Sequence, residues 1–262
     1  MAVIGIFDSG VGGLTVQKAI FERLPWLDTI YLGDTARVPY GTKSASVVSQ
    51  YSLRNARFLV ARDIDLLVVA CNTASAVALP ALREALAIPV IGVVEPGARA
   101  AVRASRSGRI GVIGTPSTIA SGAYQRAIRA LRPGAEVIGR ACPLFVPLAE
   151  EGWTDPDDEV VRAAVRRYLA PLGDAGIDAL VLGCTHYPLL RAAIGRALAG
   201  VVLVDSADAV AAEVGDRLRA LAPGAAVPAQ HRFFVTDTPD RFLAVAERFL
   251  GRSIDRAEQV DI

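Results

Sequence analysis

The sequence IDLLVVAC at Ile64–Cys71 returns as IDALVLGC at Ile177–Cys184, with five of the eight positions identical. In both copies a short apolar run ends in a cysteine, and a polar segment that can begin a helix follows. Continuous apolar runs are typical of parallel strands, because helices cover both faces of a parallel sheet. Two such units favour an α/β fold built by duplication over a chance likeness between apolar strands.

A second echo has a spacing of 106 residues: Ile4-Gly5 recurs as Ile110-Gly111, and Gly33 recurs as Gly139. Amphipathic segments lie between the apolar runs, and Leu14–Leu24 carries apolar side chains four residues apart on one helical face. The apolar runs predict nine strands: Val3–Phe7, Thr29–Leu32, Asp65–Ala70, Val90–Val94, Ile110–Ile113, Glu136–Ile138, Ala179–Leu182, Val201–Val204 and His231–Val235.

The segment after Val204 predicts a helix, the strand His231–Val235 and a helix over 239–250. We expect it to return to the first unit, which makes that unit discontinuous. The predicted fold is therefore α/β, with two pseudosymmetric doubly wound domains whose sheets are mostly parallel. The first domain takes residues 1–96 and 208–262, and the second takes 97–207.

Composition excludes several classes of function. The 262 residues include 28 basic and 27 acidic side chains, a formal charge of +1, so nucleic acid is a poor candidate partner. No apolar run reaches the ~18 residues of a membrane span. The N-terminal stretch carries no positive region of a secretory signal, and three cysteines do not make a disulfide framework. A cytoplasmic protein with reduced thiols is expected.

Polar side chains cluster where the predicted strands end, which is the edge at which parallel sheets bind ligands. The clusters are Asp8-Ser9-Gly10-Val11-Gly12-Gly13, Gly33-Asp34-Thr35 with Pro39-Tyr40-Gly41, Cys71-Asn72-Thr73, and Gly183-Cys184-Thr185-His186. Cys71 and Cys184 stand at the same position of the two echoed units. A thiol at such a strand end can lie near free N–H groups, which favours the thiolate. Two thiols facing one substrate suit racemisation, in which one group removes the α-proton and the other returns a proton to the opposite face.

Other polar residues have two interpretations each. Asp8 and His186 can assist the nearby thiols, with Asp34 and Glu150 as further candidates, but Asp8 can equally cap a helix. Asn72 and Thr73 can also be helix caps, and main-chain amides of Ser9, Asn72, Thr73 and Thr185 can hold carboxylates. Cys142 lies in neither echoed context and is expected to be a buried structural residue.

Three other motifs suggest different chemistry. The glycine-rich segment from Gly10 to Thr15 partly matches a dinucleotide fingerprint, but Thr15 replaces its third glycine. A zinc site from Cys71, Cys184 and His186 lacks any local pair of ligands, so no metal is expected. Cys184 with His186 can also form a nucleophile and base for acyl transfer, which leaves Cys71 unexplained.

The chain resembles the glutamate racemases of the aspartate/glutamate racemase superfamily. The resemblance covers essentially the whole length. It is carried by Gly5-Ile6-Phe7-Asp8-Ser9-Gly10-Val11-Gly12-Gly13-Leu14-Thr15, Tyr31-Leu32-Gly33-Asp34-Thr35, Val38-Pro39-Tyr40-Gly41, Ala70-Cys71-Asn72-Thr73-Ala74, Cys142-Pro143-Leu144-Phe145-Val146-Pro147-Leu148 and Leu182-Gly183-Cys184-Thr185-His186-Tyr187-Pro188.

The resemblance implies two pseudosymmetric domains with the active site in the cleft between them. It also implies interconversion of L- and D-glutamate without a cofactor, by two cysteines on opposite faces of the substrate. The implied catalytic positions are Cys71, Cys184, Asp8, Glu150 and His186. The implied substrate-binding positions are Asp8, Ser9, Pro39, Tyr40, Gly41, Asn72, Thr73, Thr185 and His186. Either Glu150 or Glu151 can fill the acidic position, and the distance from Pro147 favours Glu150. A cytoplasmic homodimer that supplies D-glutamate for peptidoglycan synthesis is also implied.

The lysines give an independent argument against pyridoxal phosphate. Only Lys18 and Lys43 occur, and neither lies in a strand-end motif, so a Schiff base has no obvious lysine. Two alternatives remain: a racemase of another acidic amino acid such as aspartate, and an amino-acid-binding protein without catalysis.

Overall fold

The computed structural model describes residues 2–219 and 229–262, which contain ten strands. The strands are β1 Val3–Asp8, β2 Asp28–Gly33, β3 Leu66–Val69, β4 Val90–Gly92, β5 Arg109–Gly114, β6 Glu136–Ala141, β7 Ala179–Gly183, β8 Val202–Val204, β9 His231–Val235 and β10 Glu258–Gln259. All nine predicted strands are confirmed, and β6 extends three residues beyond its predicted end.

Twelve α-helices alternate with these strands in the described part of the chain. They are α1 Leu14–Arg23, α2 Ala45–Val60, α3 Asn72–Val77, α4 Leu79–Ala85, α5 Val94–Ala104, α6 Pro116–Ser121, α7 Ala123–Leu131, α8 Phe145–Glu151, α9 Glu159–Asp174, α10 Arg191–Ala197, α11 Ser206–Leu218 and α12 Pro239–Leu250. The predicted helix at Leu14–Leu24 ends one residue early, at Arg23.

The strands form two parallel sheets, one in the order β10-β9-β2-β1-β3-β4 and the other in the order β6-β5-β7-β8. Apolar clusters lie on both faces of each sheet. In the first sheet, α1, α11 and α12 cover one face, and α2 to α4 cover the other. In the second sheet, α8 to α10 cover one face, and α5 and α7 cover the other. The predicted α/β class with two doubly wound parallel sheets is confirmed.

The duplication is visible in the strand register. Ile4 pairs with Leu66 in the first sheet, and Ile110 pairs with Ala179 in the second. Ile4 and Ile110 are 106 residues apart, and Leu66 and Ala179 are 113 apart, so one alignment of the two sheets accounts for both spacings. One predicted correspondence is wrong. Gly33 pairs with Asp8 at the end of β1, whereas Gly139 pairs with Val112 inside β5, so the two glycines are not equivalent.

The C-terminal segment returns to the first sheet as predicted, because β9 pairs with β2 along Thr29 to Gly33. The two-residue strand β10 then pairs with β9 and was not predicted. Residues 96–97 and 207–208 fall inside α5 and α11, two helices that pack together. The domain boundaries at these positions stay a prediction. Across residues 2–219 and 229–262, no helix combines the length and apolar character needed to cross a membrane.

Candidate active site

A cavity of about 150 Å³ lies where the strand ends of the two sheets face each other. This volume is below the roughly 300–1,000 Å³ typical of sites for drug-sized ligands, so the cavity suits a small molecule. Both Cys71 and Cys184 line it, each from the end of a central strand of its own sheet. The lining comprises Ser9, Pro39, Tyr40, Gly41, Thr42, Cys71, Asn72, Thr73, Thr115, Pro116, Pro143, Val146, Pro147, Cys184, Thr185 and His186.

Cys71 occupies the residue before α3 and is 5% exposed. Its Sγ lies 3.7 Å from the Ser9 hydroxyl. Burial, and then the charge of Asp8, raise the pKa of the Cys71 thiol to about 12, although hydrogen bonds from Ala74 and Ser9 oppose the shift. The prediction that its place at a strand end favours the thiolate is therefore wrong for Cys71, because desolvation outweighs the nearby N–H groups.

Cys184 lies beside a charged pair. Its Sγ is 3.8 Å from Nδ1 of His186, and Nε2 of His186 is 2.9 Å from Oε1 of Glu150. Burial alone would lower the pKa of His186, but hydrogen bonds and charges from Cys184 and Glu150 raise it to about 10. The hydrogen bond from His186 lowers the pKa of Glu150. Of the two candidate acids, the structure places Glu150 and not Glu151 against the histidine.

Asp8 lies behind the cavity wall and is 1% exposed. Its Oδ2 accepts a hydrogen bond from the Gly10 amide at 2.9 Å, while Oδ1 has no hydrogen-bond partner among the described residues. Burial raises the pKa of Asp8, and the charge of His186 opposes that shift. Asp8 is not a helix cap, because α1 begins after Gly13. Its charge is felt by both Cys71 and His186, which places it between the two thiol environments.

Asp34 acts on the cavity through Tyr40. The Tyr40 hydroxyl donates a hydrogen bond to the fully buried Asp34 carboxylate, which also accepts from Thr236 at 2.9 Å and pairs with Arg37 at 3.1 Å. Asn55 donates to the same phenol oxygen at 3.1 Å. Asp34 thus fixes a wall of the cavity and does not line it.

Hydroxyl groups from both sheets meet on another wall. Thr73 Oγ1 lies 3.0 Å from Thr115 Oγ1 and 3.2 Å from Thr118 Oγ1. Thr73 and Asn72 are not helix caps, since Cys71 holds the cap position and the Asn72 side chain bonds Tyr124. Thr115 was not predicted from the sequence. The strand register makes Gly114 at the end of β5 equivalent to Asp8 at the end of β1, so Thr115 is the equivalent of Ser9.

The glycine-rich loop from Gly10 to Thr15 packs against a segment of the second sheet, where the fingerprint would place a dinucleotide. A Cβ added to Gly12 would lie 2.3 Å from Thr185 Oγ1 and 2.6 Å from His186 Nδ1. The Thr15 hydroxyl donates to the Thr185 carbonyl at 3.3 Å. The space above the loop is therefore filled by the segment that follows Cys184.

Cys142 behaves as the sequence predicts for a structural residue, since it is fully buried in the apolar cluster beneath the second sheet. All three cysteines are free. Among residues 2–219 and 229–262, no group of three His, Cys, Asp or Glu side chains is arranged to hold a metal ion. The zinc interpretation has no ligand set there.

Comparison with known proteins identifies the family. The sequence model of the Asp/Glu/Hydantoin racemase family matches residues 15–214. The chain belongs to this family. A glutamate racemase from Geobacter metallireducens is 58% identical, over 99% of this chain and 96% of its own. These racemases are isomerases, which removes acyl transfer as an interpretation of Cys184 and His186.

Solved structures agree in fold over the full length. A glutamate racemase isoform from Bacillus anthracis superposes with a TM-score of 0.94 at 42% identity, covering 100% of this chain and 98% of the other. One from Francisella tularensis, solved in complex with D-glutamate, gives 0.93 at 38% identity, covering 99% and 97%. The two-sheet arrangement around the cavity is thus that of the racemase family.

Proposed function

We propose that this racemase interconverts L- and D-glutamate, using Cys71 and Cys184 as paired acid and base without a cofactor. The observation that carries the proposal is that two cysteines, equivalent in the duplicated sheets, line one small cavity. Relatives with near full-length matches are glutamate racemases, which supports glutamate as the substrate.

The surroundings of the two thiols differ, and the difference sets their starting states. His186 is protonated at neutral pH and lies beside Cys184, so it can hold the negative charge of a Cys184 thiolate. Cys71 keeps its proton, because burial and Asp8 raise the pKa of its thiol. These surroundings suit Cys71 to start as the proton donor and Cys184, beside the imidazolium of His186, to act as the base, the two roles that a two-base racemase requires.

The reaction then moves two protons. The Cys184 thiolate takes the α-proton, so that the Cα–H bond breaks and an S–H bond forms. Cys71 gives its proton to the opposite face of Cα, and its S–H bond breaks as the new Cα–H bond forms. The ammonium group of the amino acid favours this second transfer, since a positive charge near Cys71 offsets the charge of Asp8. The two cysteines finish with exchanged protonation states, ready for the reverse direction.

Polar groups of the cavity bind the substrate and stabilise the negative charge that develops on it. Ser9, Asn72, Thr73 and Thr185 present hydroxyl, amide and main-chain donors that suit two carboxylates. Tyr40 and Gly41 close the site from the Asp34 side. Glu150 orients His186, which is 6% exposed and has little freedom to turn.

Serine substitution tests the roles of the thiols. Cys71→Ser and Cys184→Ser should each reduce racemisation in both directions by more than about 1,000-fold, because a hydroxyl of far higher pKa neither gives up nor accepts the α-proton readily. Cys142→Ser is the matched control and should retain activity, since Cys142 lies outside the cavity. Circular dichroism at a fixed wavelength follows both enantiomers. Near wild-type turnover by Cys184→Ser refutes the assignment.

A panel of single-enantiomer amino acids separates the alternatives. Loss of optical activity from glutamate but not aspartate supports the proposal, whereas the reverse preference supports an aspartate racemase. Binding of glutamate without any loss of rotation indicates a binding protein. Cytoplasmic location, a homodimer and a role in peptidoglycan synthesis stay predictions of the family resemblance.

A further inference from the structure

Tyr124 reaches the cysteine-bearing end of the first sheet from the second. It lies in α7 and is 1% exposed, and its hydroxyl donates a hydrogen bond to Asn72 Oδ1 at 2.6 Å. Asn72 directly follows Cys71 and lines the cavity. A side chain from a helix that packs on the second sheet thus holds a cavity-lining amide beside the first.

The ring of Tyr124 also touches the other cysteine-bearing strand end. A Cβ added to Gly183, the residue before Cys184, would lie 3.2 Å from Cε2 of Tyr124. One aromatic side chain therefore contacts the neighbours of both cysteines.

A third group fixes the direction of the hydrogen bonds. The hydroxyl of Ser206, which is 3% exposed, lies 3.2 Å from the Tyr124 oxygen. Ser206 packs closely against Gly97, since a Cβ added to Gly97 would lie 2.4 Å from its Oγ. When the Tyr124 proton points to Asn72, the Ser206 hydroxyl completes the chain by donating to Tyr124.

The chain of donors decides which face of the Asn72 amide meets the cavity. Its oxygen is occupied by Tyr124, so the NH₂ group, which makes no hydrogen bond to the described part of the chain, is the end left for a ligand. An amide free to turn over would have to give up that freedom to place its nitrogen against a carboxylate. Oxygen against carboxylate is repulsive, so the fixed orientation favours an anion.

We propose that Tyr124 is a positioning residue that holds Asn72 as a hydrogen-bond donor to a substrate carboxylate. This inference rests on the proposed function. Tyr124 does not touch the substrate and acts through Asn72.

Steady-state kinetics of Tyr124→Phe tests the hydrogen bond while keeping the ring. The KM for glutamate should rise about five- to tenfold with kcat within about twofold, as expected when a donor to a charged group loses its orientation. In an Asn72→Ala background the same substitution should have no further effect on KM. Ser206→Ala, which removes only the outer link, should raise KM about twofold.

Tyr187→Phe is the matched control, because the buried Tyr187 hydroxyl donates at 2.8 Å to the Cys142 carbonyl and has no link to Asn72. It should lower thermal stability about as much as Tyr124→Phe and leave KM within about twofold. The inference is overturned if Tyr124→Phe leaves KM unchanged, if its effect persists undiminished beside Asn72→Ala, or if Tyr187→Phe raises KM equally. If the wild-type protein itself does not racemise glutamate, the proposed function fails instead.

Discussion

Replacing Glu150 with glutamine removes the charge that the structure places 2.9 Å from His186 Nε2 and keeps a side chain of the same size. The structure attributes part of the high pKa of His186 to this hydrogen bond and charge. The Glu150→Gln variant should therefore lower the pKa of His186. It should weaken the ability of the imidazolium to hold a thiolate at Cys184.

The magnitude follows from the exposure of Glu150. A hydrogen bond between charged groups contributes about 1.5–3 kcal/mol. The Glu150 side chain is 36% exposed, so solvent screening places this pair at the lower end of that range. About 1.4 kcal/mol corresponds to one pH unit, so the pKa of His186 should fall by about one unit from its value of about 10.

Proton NMR of the imidazole Cε1–H resonances measures this shift cleanly, because the chain contains only two histidines. The second, His231, is an internal reference: burial and then the charge of Arg252 lower its pKa, and it lies far along the chain in β9. His186 should stay protonated throughout the neutral range while His231 loses its proton below pH 6.5. A His231→Gln spectrum assigns the signals.

Glu151→Gln is the matched control, since Glu151 is exposed and its carboxylate does not bond His186. Only Glu150→Gln should lower the pKa of His186. The same variant should move the alkaline limb of the pH profile of kcat/KM down by about one pH unit. The sign for stability follows: a His186 pKa above 6.5 in the folded state stabilises the fold below pH 6.5, and this contribution is lost toward pH 10. A wild-type His186 that titrates below 6.5, or an unmoved titration in Glu150→Gln, refutes the reasoning.

Two further predictions concern the frame around the cavity. Gly12→Ala should reduce kcat/KM at least tenfold, because its Cβ would meet Thr185 Oγ1 at 2.3 Å and push the sheets apart. The control Gly134→Ala, whose Cβ meets nothing within 4 Å, should leave kcat/KM unchanged. Equal effects of the two variants contradict the packing argument. Asp34→Ala should lower the free energy of unfolding by about 1–3 kcal/mol in urea denaturation, because the buried Tyr40 hydroxyl loses its acceptor. An unchanged urea midpoint contradicts that account.

Most of the fold could be predicted because the strands are continuous apolar runs with a repeated order. β10 could not, since it consists of the two exposed residues Glu258 and Gln259, which have no periodic pattern. The predicted equivalence of Gly33 and Gly139 failed because the chain from β1 to β2 is two residues shorter than the chain from β5 to β6. Only the strand register reveals this difference.

The cavity residues next to the cysteines could be predicted from motifs at strand ends, whereas the residues that hold them could not. Thr115 follows β5 without a motif of its own, and Tyr124 lies in the first turn of a helix, where a buried aromatic residue usually belongs to the core. The high pKa of Cys71 was missed because desolvation depends on how completely the second sheet covers the thiol, which the local sequence does not record.

Transfer of the α-hydrogen between two sulfurs is tested most directly by racemising L-glutamate in D₂O and measuring α-deuterium in both enantiomers at low conversion. Because one thiol removes the proton and the other, exchanged with solvent, delivers a deuteron, D-glutamate should carry deuterium while recovered L-glutamate keeps its original hydrogen. Equal deuterium in both enantiomers, or an unlabelled product, would contradict the two-sulfur account.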